Sequence, residues 1–235
     1  MSHCLKRLSL TPAIAVAVAL ATAGTAAALD ITGTDGHDRI IGSRGADTIH
    51  AKGGPDLVKA LAGDDAIDLG PGLDRAFAGR GDDHVVGADG DDRVFGGRGA
   101  DVIDLGAGND RAIAGPGDDT VDAGPGFDRV RGRAGNDTID GGDGFDVLHG
   151  GRGSDTIRGG DGNDRITALV RDGKSDTVDG GAGDDRILVR DGTRDVVTCG
   201  AGFDRVRADF ADDVAGDCEV VKRHVPRASE VPSAE

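Results

Sequence analysis

Aliphatic side chains recur every nine residues along most of the chain, each placed two residues after an aspartate. An Asp occupies every ninth position from Asp38 to Asp164, and the second residue after it is Ile, Val or Leu with two Ala exceptions. The second residue before each Asp is always Gly, from Gly36 to Gly162. An unbroken period of this kind predicts a repeat architecture, in which each unit buries its apolar residue by stacking on its neighbours.

The repeat unit predicts a turn and a short strand instead of a helix. Gly occupies up to three of nine positions, as in Gly159-Gly160-Asp161-Gly162, and so many glycines cost too much backbone entropy inside a regular element. We therefore expect a six-residue turn that ends in Asp, followed by a three-residue strand. The central aliphatic residue of the strand points inward and its two neighbours point outward.

Composition makes an ordinary apolar core improbable. The chain of 235 residues contains 42 Gly, neither Trp nor Tyr, and a net charge of −16. Such a composition favours disorder unless the charge is neutralised. An acidic chain repels nucleic acid and anionic membranes and attracts cations, so nucleic acid is excluded as a partner.

The first 28 residues have the pattern of a secretory signal peptide. Lys6 and Arg7 precede an apolar run at 8–20, and small residues at 26–28 provide a cleavage site. We expect a secreted protein, extracellular or associated with the cell envelope, without stable membrane insertion after cleavage.

The nonapeptides resemble those of a known family. GGRGSDTI at 150–157 and GGDGNDRI at 159–166 are similar to the calcium-binding repeat of the RTX, or hemolysin-type, proteins, G-G-x-G-x-D-x-aliphatic-x. The resemblance covers residues 33–167 in register and continues less regularly to about 215. It implies an all-β fold, a right-handed parallel β-roll: a two-sheet solenoid with two nonapeptides per turn, in which residues eighteen apart stack about 4.8 Å from each other.

The resemblance also implies calcium ions between stacked turns, bound by Asp carboxylates and by carbonyl groups of the Gly-rich segment. The implied carboxylates are Asp38, Asp47, Asp56, Asp65, Asp74, Asp83, Asp92, Asp101, Asp110, Asp119, Asp128, Asp137, Asp146, Asp155 and Asp164. The implied glycines are Gly36, Gly45, Gly90, Gly99, Gly108, Gly117, Gly126, Gly135, Gly144, Gly153 and Gly162. Acidic residues directly before the repeat Asp, such as Asp64 and Asp118, either assist or are merely solvated.

The chemistry of the residues independently favours calcium as the cofactor. Carboxylate and carbonyl oxygens suit Ca²⁺, and no Cys or His pattern indicates a transition metal. Two carboxylates about 5 Å apart in water repel by roughly 0.8 kcal/mol, so thirteen neighbouring pairs amount to about 10 kcal/mol before screening by salt. This rivals the stability of a whole domain, so we expect the roll to be largely disordered without calcium.

The period changes after residue 167. Two irregular turns, 171–176 and 190–195, are nineteen residues apart, and we expect them to stack and to cap the solenoid. Lys174 and Thr193 replace the Gly of the repeat, which makes calcium at Asp176 and Asp195 doubtful.

Two cysteines remain after signal cleavage in an oxidising compartment. Cys199 and Cys218 are nineteen residues apart, and stacked strands bring such positions to about 5 Å, within the range of a disulfide. We expect the bridge to close the last turn. The calcium-binding roll is expected over 29–221, with capping turns from 168 and a disordered tail over 222–235.

The strand residues after the repeat Asp predict an Arg-rich outer face. It contains Arg75, Arg93, Arg111, Arg129, Phe77 and Phe95. One interpretation is a strip that binds an anionic cell-surface polysaccharide. The other is that Arg offsets the repeat Asp and that Phe covers neighbouring positions where the inward residue is Ala.

The sequence therefore predicts a secreted calcium-binding β-roll, structural or adhesive, without catalysis. The toxins, proteases and lipases of the family resemble this chain only in their repeat segment, and we expect no room here for a catalytic domain. A zinc-protease helix signature, a Gly-x-Ser-x-Gly elbow and a P-loop are absent from the sequence. The alternative is a polysaccharide-binding or polysaccharide-modifying solenoid that uses the Arg and Phe face.

Overall fold

The chain forms a solenoid of about 11 turns with two parallel β-sheets. The computed structural model describes residues 15–18 and 28–224. These residues contain no helix, and accordingly none of them belongs to a helix long and apolar enough to cross a membrane. The predicted fold class, a two-sheet β-roll, is confirmed.

Successive strands alternate between the two sheets. Sheet A has twelve strands: β1 (Ala15–Val18), β3 (Asp38–Ile41), β5 (Leu57–Lys59), β7 (Arg75–Arg80), β9 (Arg93–Arg98), β11 (Arg111–Pro116), β13 (Arg129–Ala134), β15 (Val147–Arg152), β17 (Arg165–Thr167), β19 (Arg186–Leu188), β21 (Arg205–Asp209) and β23 (Val220–His224). Sheet B has eleven: β2 (Asp30–Thr32), β4 (Thr48–His50), β6 (Ala66–Asp68), β8 (His84–Val86), β10 (Val102–Asp104), β12 (Thr120–Asp122), β14 (Thr138–Asp140), β16 (Thr156–Asp161), β18 (Thr177–Ala182), β20 (Val196–Ala201) and β22 (Asp213–Val214).

Neighbouring strands pair in register, one solenoid turn apart. Arg75 of β7 pairs with Arg93 of β9, an offset of eighteen residues that recurs throughout the regular part. The predicted stacking is therefore confirmed. Thr156 of β16 pairs with Thr177 of β18 because one turn is three residues longer.

The core consists of small and aliphatic side chains in columns. The predicted inward residue, two after each Asp, is buried in every turn, as at Ile40 and Ile157. A second inward column, which the three-residue strand did not predict, lies four residues after the Asp and includes Leu69, Leu105 and Cys199. The alternation of strand side chains continues into the turn, so positions 0, 2 and 4 all face the interior. The repeat Asp is therefore itself an inward residue.

The C-terminal end of the solenoid is closed covalently. Cys199 and Cys218 form the predicted disulfide, with a Cα–Cα distance of 5.3 Å. Strand β23 pairs with β21 as far as His224, so the boundary expected at residue 221 lies inside this strand. Residues 222–224, expected in the tail, therefore belong to the edge of sheet A. The rest of the expected tail lies outside the described residues.

At the other end, strand β1 pairs with β3. Cleavage of the predicted signal peptide after residue 28 would remove β1. Apart from 15–18 and 28, the predicted signal peptide lies outside the described residues.

Candidate calcium sites in two aspartate ladders

The repeat aspartates form two continuous columns inside the solenoid, here called ladders. Each ladder residue is the first residue of a strand or lies directly before it, with its side chain directed inward. Each is at most 5% exposed. Ladder A, beside sheet A, contains Asp38, Asp56, Asp74, Asp92, Asp110, Asp128, Asp146, Asp164, Asp185 and Asp204. Ladder B contains Asp47, Asp65, Asp83, Asp101, Asp119, Asp137, Asp155, Asp176, Asp195 and Asp212.

In every ladder residue after Asp38, Oδ1 accepts a hydrogen bond from a backbone N–H of the preceding solenoid turn. The N–H of Asp74 donates to Oδ1 of Asp92 at 2.8 Å, and the N–H of Asp92 donates to Oδ1 of Asp110 at 2.7 Å. The same bond recurs along both ladders. Ladder A ends where Glu219 Oε2 accepts the N–H of Asp204 at 2.7 Å. These bonds hold each Asp in one orientation.

The other oxygen, Oδ2, is buried without a hydrogen-bond partner in most of the turns. This holds for all thirteen predicted ligands from Asp56 to Asp164, and also for Asp185, Asp195 and Asp204. The first two turns differ, because the N–H of Thr34 donates to Oδ2 of Asp38 and the N–H of Ser43 to Oδ2 of Asp47, both at 2.6 Å. A buried carboxylate oxygen without a partner is costly, so these positions call for a cation or a proton.

Burial makes the ladder carboxylates hard to ionise. Desolvation, partly opposed by the backbone N–H of the preceding ladder residue, raises the pKa of Asp74 to about 6. In Asp92 and Asp128, desolvation and the like charges of the neighbouring ladder residues raise the pKa to about 7. A cation beside Oδ2 would reverse both effects.

Glycines leave open space and carbonyl oxygens around each carboxylate. A methyl carbon at Gly87, five residues before Asp92, would lie 2.8 Å from Oδ2 of that Asp and would overlap the carbonyl oxygen of Leu105. A methyl group at Gly90 would overlap the carbonyl oxygen of Gly72, and Gly90 has φ +141°. A side chain with Cβ at either of these two positions would therefore force neighbouring atoms to shift.

The predicted Gly ligands stack in the same turns as the ladders. From Gly90 onward, a methyl group at each would overlap the carbonyl oxygen of the Gly eighteen residues earlier, so these carbonyl groups are directed into the next turn. The residues present thus offer carboxylate and carbonyl oxygens only. This donor set fits Ca²⁺, which takes six to eight oxygen ligands in flexible geometry.

The acidic residues directly before the ladder positions are exposed and form hydrogen bonds between turns. Asp64 and Asp118 are exposed, and their Oδ1 atoms accept the N–H groups of Asp82 and Asn136 one turn later. Hydrogen bonds from the backbone and the side chain of the residue one turn later lower the pKa of Asp91, the third example. These carboxylates connect turns on the outside of the solenoid.

The two ladders extend beyond Asp164, the last residue that the period of nine predicted. Asp176 and Asp195, expected to be doubtful, are buried ladder B members, and Asp185, Asp204 and Asp212 were not proposed at all. The irregular turns stack as predicted, because the N–H of Asp176 donates to Oδ1 of Asp195. The period of nine is interrupted by the inserted residues. The motifs GGAGDDRI at 180–187 and GAGFDRV at 200–206 nevertheless have the repeat pattern and indicate Asp185 and Asp204.

The predicted Arg and Phe strip lies on the outer face of sheet A. Arg75, Arg93, Arg111 and Arg129 pair in register on adjacent strands and are exposed. The rings of Phe77 and Phe95 stack at 4.8 Å between centroids, and the guanidinium of Arg75 lies 5.4 Å from the Phe77 ring.

Comparison with known proteins identifies the repeat. The family model of the RTX calcium-binding nonapeptide repeat matches residues 30–58, 42–76, 77–112, 113–148, 140–169 and 172–196. The crystal structure of a hyperactive, Ca²⁺-dependent, beta-helical antifreeze protein from an Antarctic bacterium is similar, with 18% identity, a TM-score of 0.44, and coverage of 84% of this chain and 86% of that one. No curated protein sequence matches significantly. Since the matched repeats extend over most of the sequence and coincide with the ladders, the chain belongs to the RTX calcium-binding nonapeptide repeat family.

Proposed function

We propose that this protein is a secreted β-roll that folds when calcium fills its two Asp ladders and that serves a structural or adhesive role without catalysis. The observation that carries the proposal is the column of buried Oδ2 atoms without hydrogen-bond partners. Oδ2 of each ladder Asp and carbonyl oxygens of the Gly-rich turns would hold the ions.

Electrostatics support calcium-dependent folding. Raising the pKa of one Asp from 3.8 to about 6 corresponds to a cost on the order of 3 kcal/mol for an ionised carboxylate. Whole domains are stable by only about 5–15 kcal/mol, so a few uncompensated ladder residues are enough to prevent folding at neutral pH. A divalent cation between turns converts this repulsion into binding free energy.

Secretion would supply the ion. Extracellular calcium-binding modules commonly bind at about 10⁻⁴ to 10⁻³ M, and an extracellular site is compatible with the disulfide between Cys199 and Cys218. N-terminal sequencing of the exported protein should give Leu29 as the first residue. An N-terminus at Met1 would contradict the predicted cleavage.

Far-ultraviolet circular dichroism of the purified protein tests calcium-dependent folding. In EDTA at pH 7.5 we expect little β signal, followed by a cooperative gain on titration with calcium but not with magnesium, which dehydrates reluctantly and demands octahedral geometry. A spectrum that is already folded in EDTA and indifferent to calcium would overturn the proposal.

Two adjacent carboxylates offer a matched pair of variants. Asp119→Asn removes a buried ladder charge. Asp118→Asn removes an exposed charge, and an Asn at this position can still accept both hydrogen bonds that Asn136 donates to Oδ1 of Asp118. We expect Asp119→Asn to need more calcium for folding and Asp118→Asn to titrate like the wild type. Equal midpoints for both variants would argue against the ladder as the calcium site.

A second candidate function is the binding of an anionic polysaccharide by the outer face of sheet A. The stacked rings of Phe77 and Phe95 next to Arg75 favour it, because half-buried aromatic rings and exposed guanidinium groups together suit a charged sugar polymer. Gln at Arg75, Arg93 and Arg111 should abolish retention on an acidic polysaccharide column.

The control variant makes the same charge change elsewhere on the same face. Gln at Arg165, Arg186 and Arg207, which are also exposed on sheet A, should leave retention intact if the strip is specific. If both triple variants lose retention equally, the column detects only net charge and the candidate fails.

A further inference from the structure

Three buried carboxylates converge at the second irregular turn, 190–195. Asp176, Asp191 and Asp195 each offer an oxygen within 4.8 Å of oxygens from the other two. Their exposures are 3%, 6% and 0%. Asp191 belongs to neither ladder, since it lies four residues before Asp195, at the second position of the turn. The irregular turn therefore adds a carboxylate that no regular repeat has at this place.

The hydrogen bonds of the cluster leave oxygens unused. Oδ1 of Asp195 accepts the N–H of Asp176 at 2.9 Å, and Oδ1 of Asp191 accepts the N–H and hydroxyl of Thr193 at 2.8 and 2.6 Å. Oδ2 of Asp191 and Oδ2 of Asp195 are buried and have no partner. None of the ion pairs formed among residues 28–224 involves these three side chains.

A cation would satisfy these three carboxylates. Three carboxylates enclosed together repel each other, and two of them have a buried Oδ2 without a hydrogen-bond partner. Hydroxyl and amide donors already occupy the Oδ1 atoms, so further relief must come from outside the chain. Oxygen-only ligands select a hard divalent ion, and affinity for calcium rises with the number of ligand charges.

We propose that Asp176, Asp191 and Asp195 form a separate calcium site that binds more tightly than the ladder sites and fills first. It differs from a repeat site because three side-chain carboxylates of two stacked irregular turns converge, instead of one per turn. The ion fastens turn 190–195 onto turn 171–176, next to the disulfide-closed end. Once filled, this site provides an ordered turn from which calcium can occupy the ladder sites towards the N-terminus.

The first irregular turn provides a control residue. Asp172 occupies the same position relative to Asp176 as Asp191 does to Asp195, but it is exposed. Its two oxygens accept the N–H groups of Gly153 at 2.8 Å and of Lys174 at 3.0 Å. Asp172→Asn thus removes the same charge from the same turn position without altering the cluster.

Flow dialysis with radioactive calcium on the whole purified chain, at pH 8, tests the site. We expect one tightly bound calcium per chain in the wild type and in Asp172→Asn, ahead of a larger weak class, and loss of the tight class alone in Asp191→Asn. Identical binding curves for the two variants would overturn the inference. A wild-type curve that shows one tight calcium and no weak class would instead refute the ladder sites and leave the inference standing.

Hydrogen exchange of the wild type provides a readout that needs no variant. Backbone amides of residues 186–197 should become protected at calcium concentrations below those that protect 102–140. Protection of both segments at the same concentration would contradict a site that fills first.

Discussion

The turns at the start of the solenoid satisfy their aspartates differently from the interior turns. Near the N-terminal end the N–H groups of Thr34 and Ser43 donate to Oδ2 of Asp38 and Asp47, and at the end of ladder B the N–H of Asp209 donates to Oδ2 of Asp212. Oδ2 has no hydrogen-bond partner in the ladder residues from Asp56 to Asp164, nor in Asp204, the last residue of ladder A. Where the chain supplies a donor, Oδ2 is satisfied by a hydrogen bond, and where it does not, we expect an ion beside Oδ2.

The backbone of the turn explains this difference. Thr34 and Ser43 occupy the position four residues before the Asp, and their N–H groups point to its carboxylate. At the same position in the interior, residues such as Leu61 have positive φ, and the N–H of Leu61 donates to the carbonyl of Ala78 in the next turn. Stacking between turns thus removes the donor that an end turn keeps.

The largest expected effect comes from pH in the absence of calcium. Burial raises the folded-state pKa of interior aspartates from 3.8 to about 6 in Asp74 and about 7 in Asp92, so the folded state binds more protons than the unfolded state between about pH 4 and 7. Stability in EDTA should therefore increase as pH falls from 8 to 5.5. The β signal in far-ultraviolet circular dichroism, recorded in EDTA across this pH range, measures it, and a signal that rises with pH would contradict the account.

A methyl group in an interior turn should have the next largest effect. Gly90→Ala forces positive φ on Ala and an overlap with the carbonyl of Gly72, whereas at Gly36, the same position in the first turn, a methyl carbon would approach only Thr34 Oγ1, at 3.7 Å. We expect a loss of roughly 3 kcal/mol or more for Gly90→Ala and little change for Gly36→Ala. Thermal unfolding in saturating calcium compares them, and equal losses would remove the distinction between end and interior.

Removing one interior charge should destabilise the fold in calcium and stabilise it in EDTA. In calcium, Asp119→Asn loses a ligand and destabilises the fold. In EDTA the same variant should be more stable than the wild type by about 1–3 kcal/mol, because an Asn is neutral and can still accept the N–H of Asp101. Urea titration in calcium and the β signal in EDTA between pH 8 and 5.5 check this, and destabilisation in both conditions would show that repulsion between ladder charges does not limit the calcium-free fold.

The smallest effect concerns strain at the interior turn position. Lys52 is exposed and has φ +80°, which costs a residue with Cβ about 1 kcal/mol relative to Gly. Lys52→Gly should therefore raise stability by up to about 1 kcal/mol, measured by calcium-saturated thermal unfolding. A lower melting temperature would mean that the Lys side chain contributes more than its backbone costs.

Much of the fold followed from the period, and less of the site did. The spacing of Asp and aliphatic residues predicted the stacking by eighteen and the bridge between Cys199 and Cys218. It did not reveal the second inward column, because Gly87 and Leu105 occupy the same phase and hide its apolar character. It also missed the ladder members beyond Asp164, because inserted residues change the count without changing the register.

Two features of the site depend on tertiary structure alone. The donors of Thr34 and Ser43 follow from a backbone angle that the residue type does not determine. The cluster around Asp191 depends on two insertions that place the second irregular turn on the first. Neither relation is visible in the letters of a single turn.

Anomalous diffraction from crystals grown in calcium tests the central claim most directly. The account predicts anomalous peaks within bonding distance of Oδ2 of interior ladder residues such as Asp92 and Asp119, and none at Oδ2 of Asp38 and Asp47. Peaks confined to exposed carboxylates such as Asp118, or a folded solenoid whose interior Oδ2 atoms have no peak beside them, would contradict it.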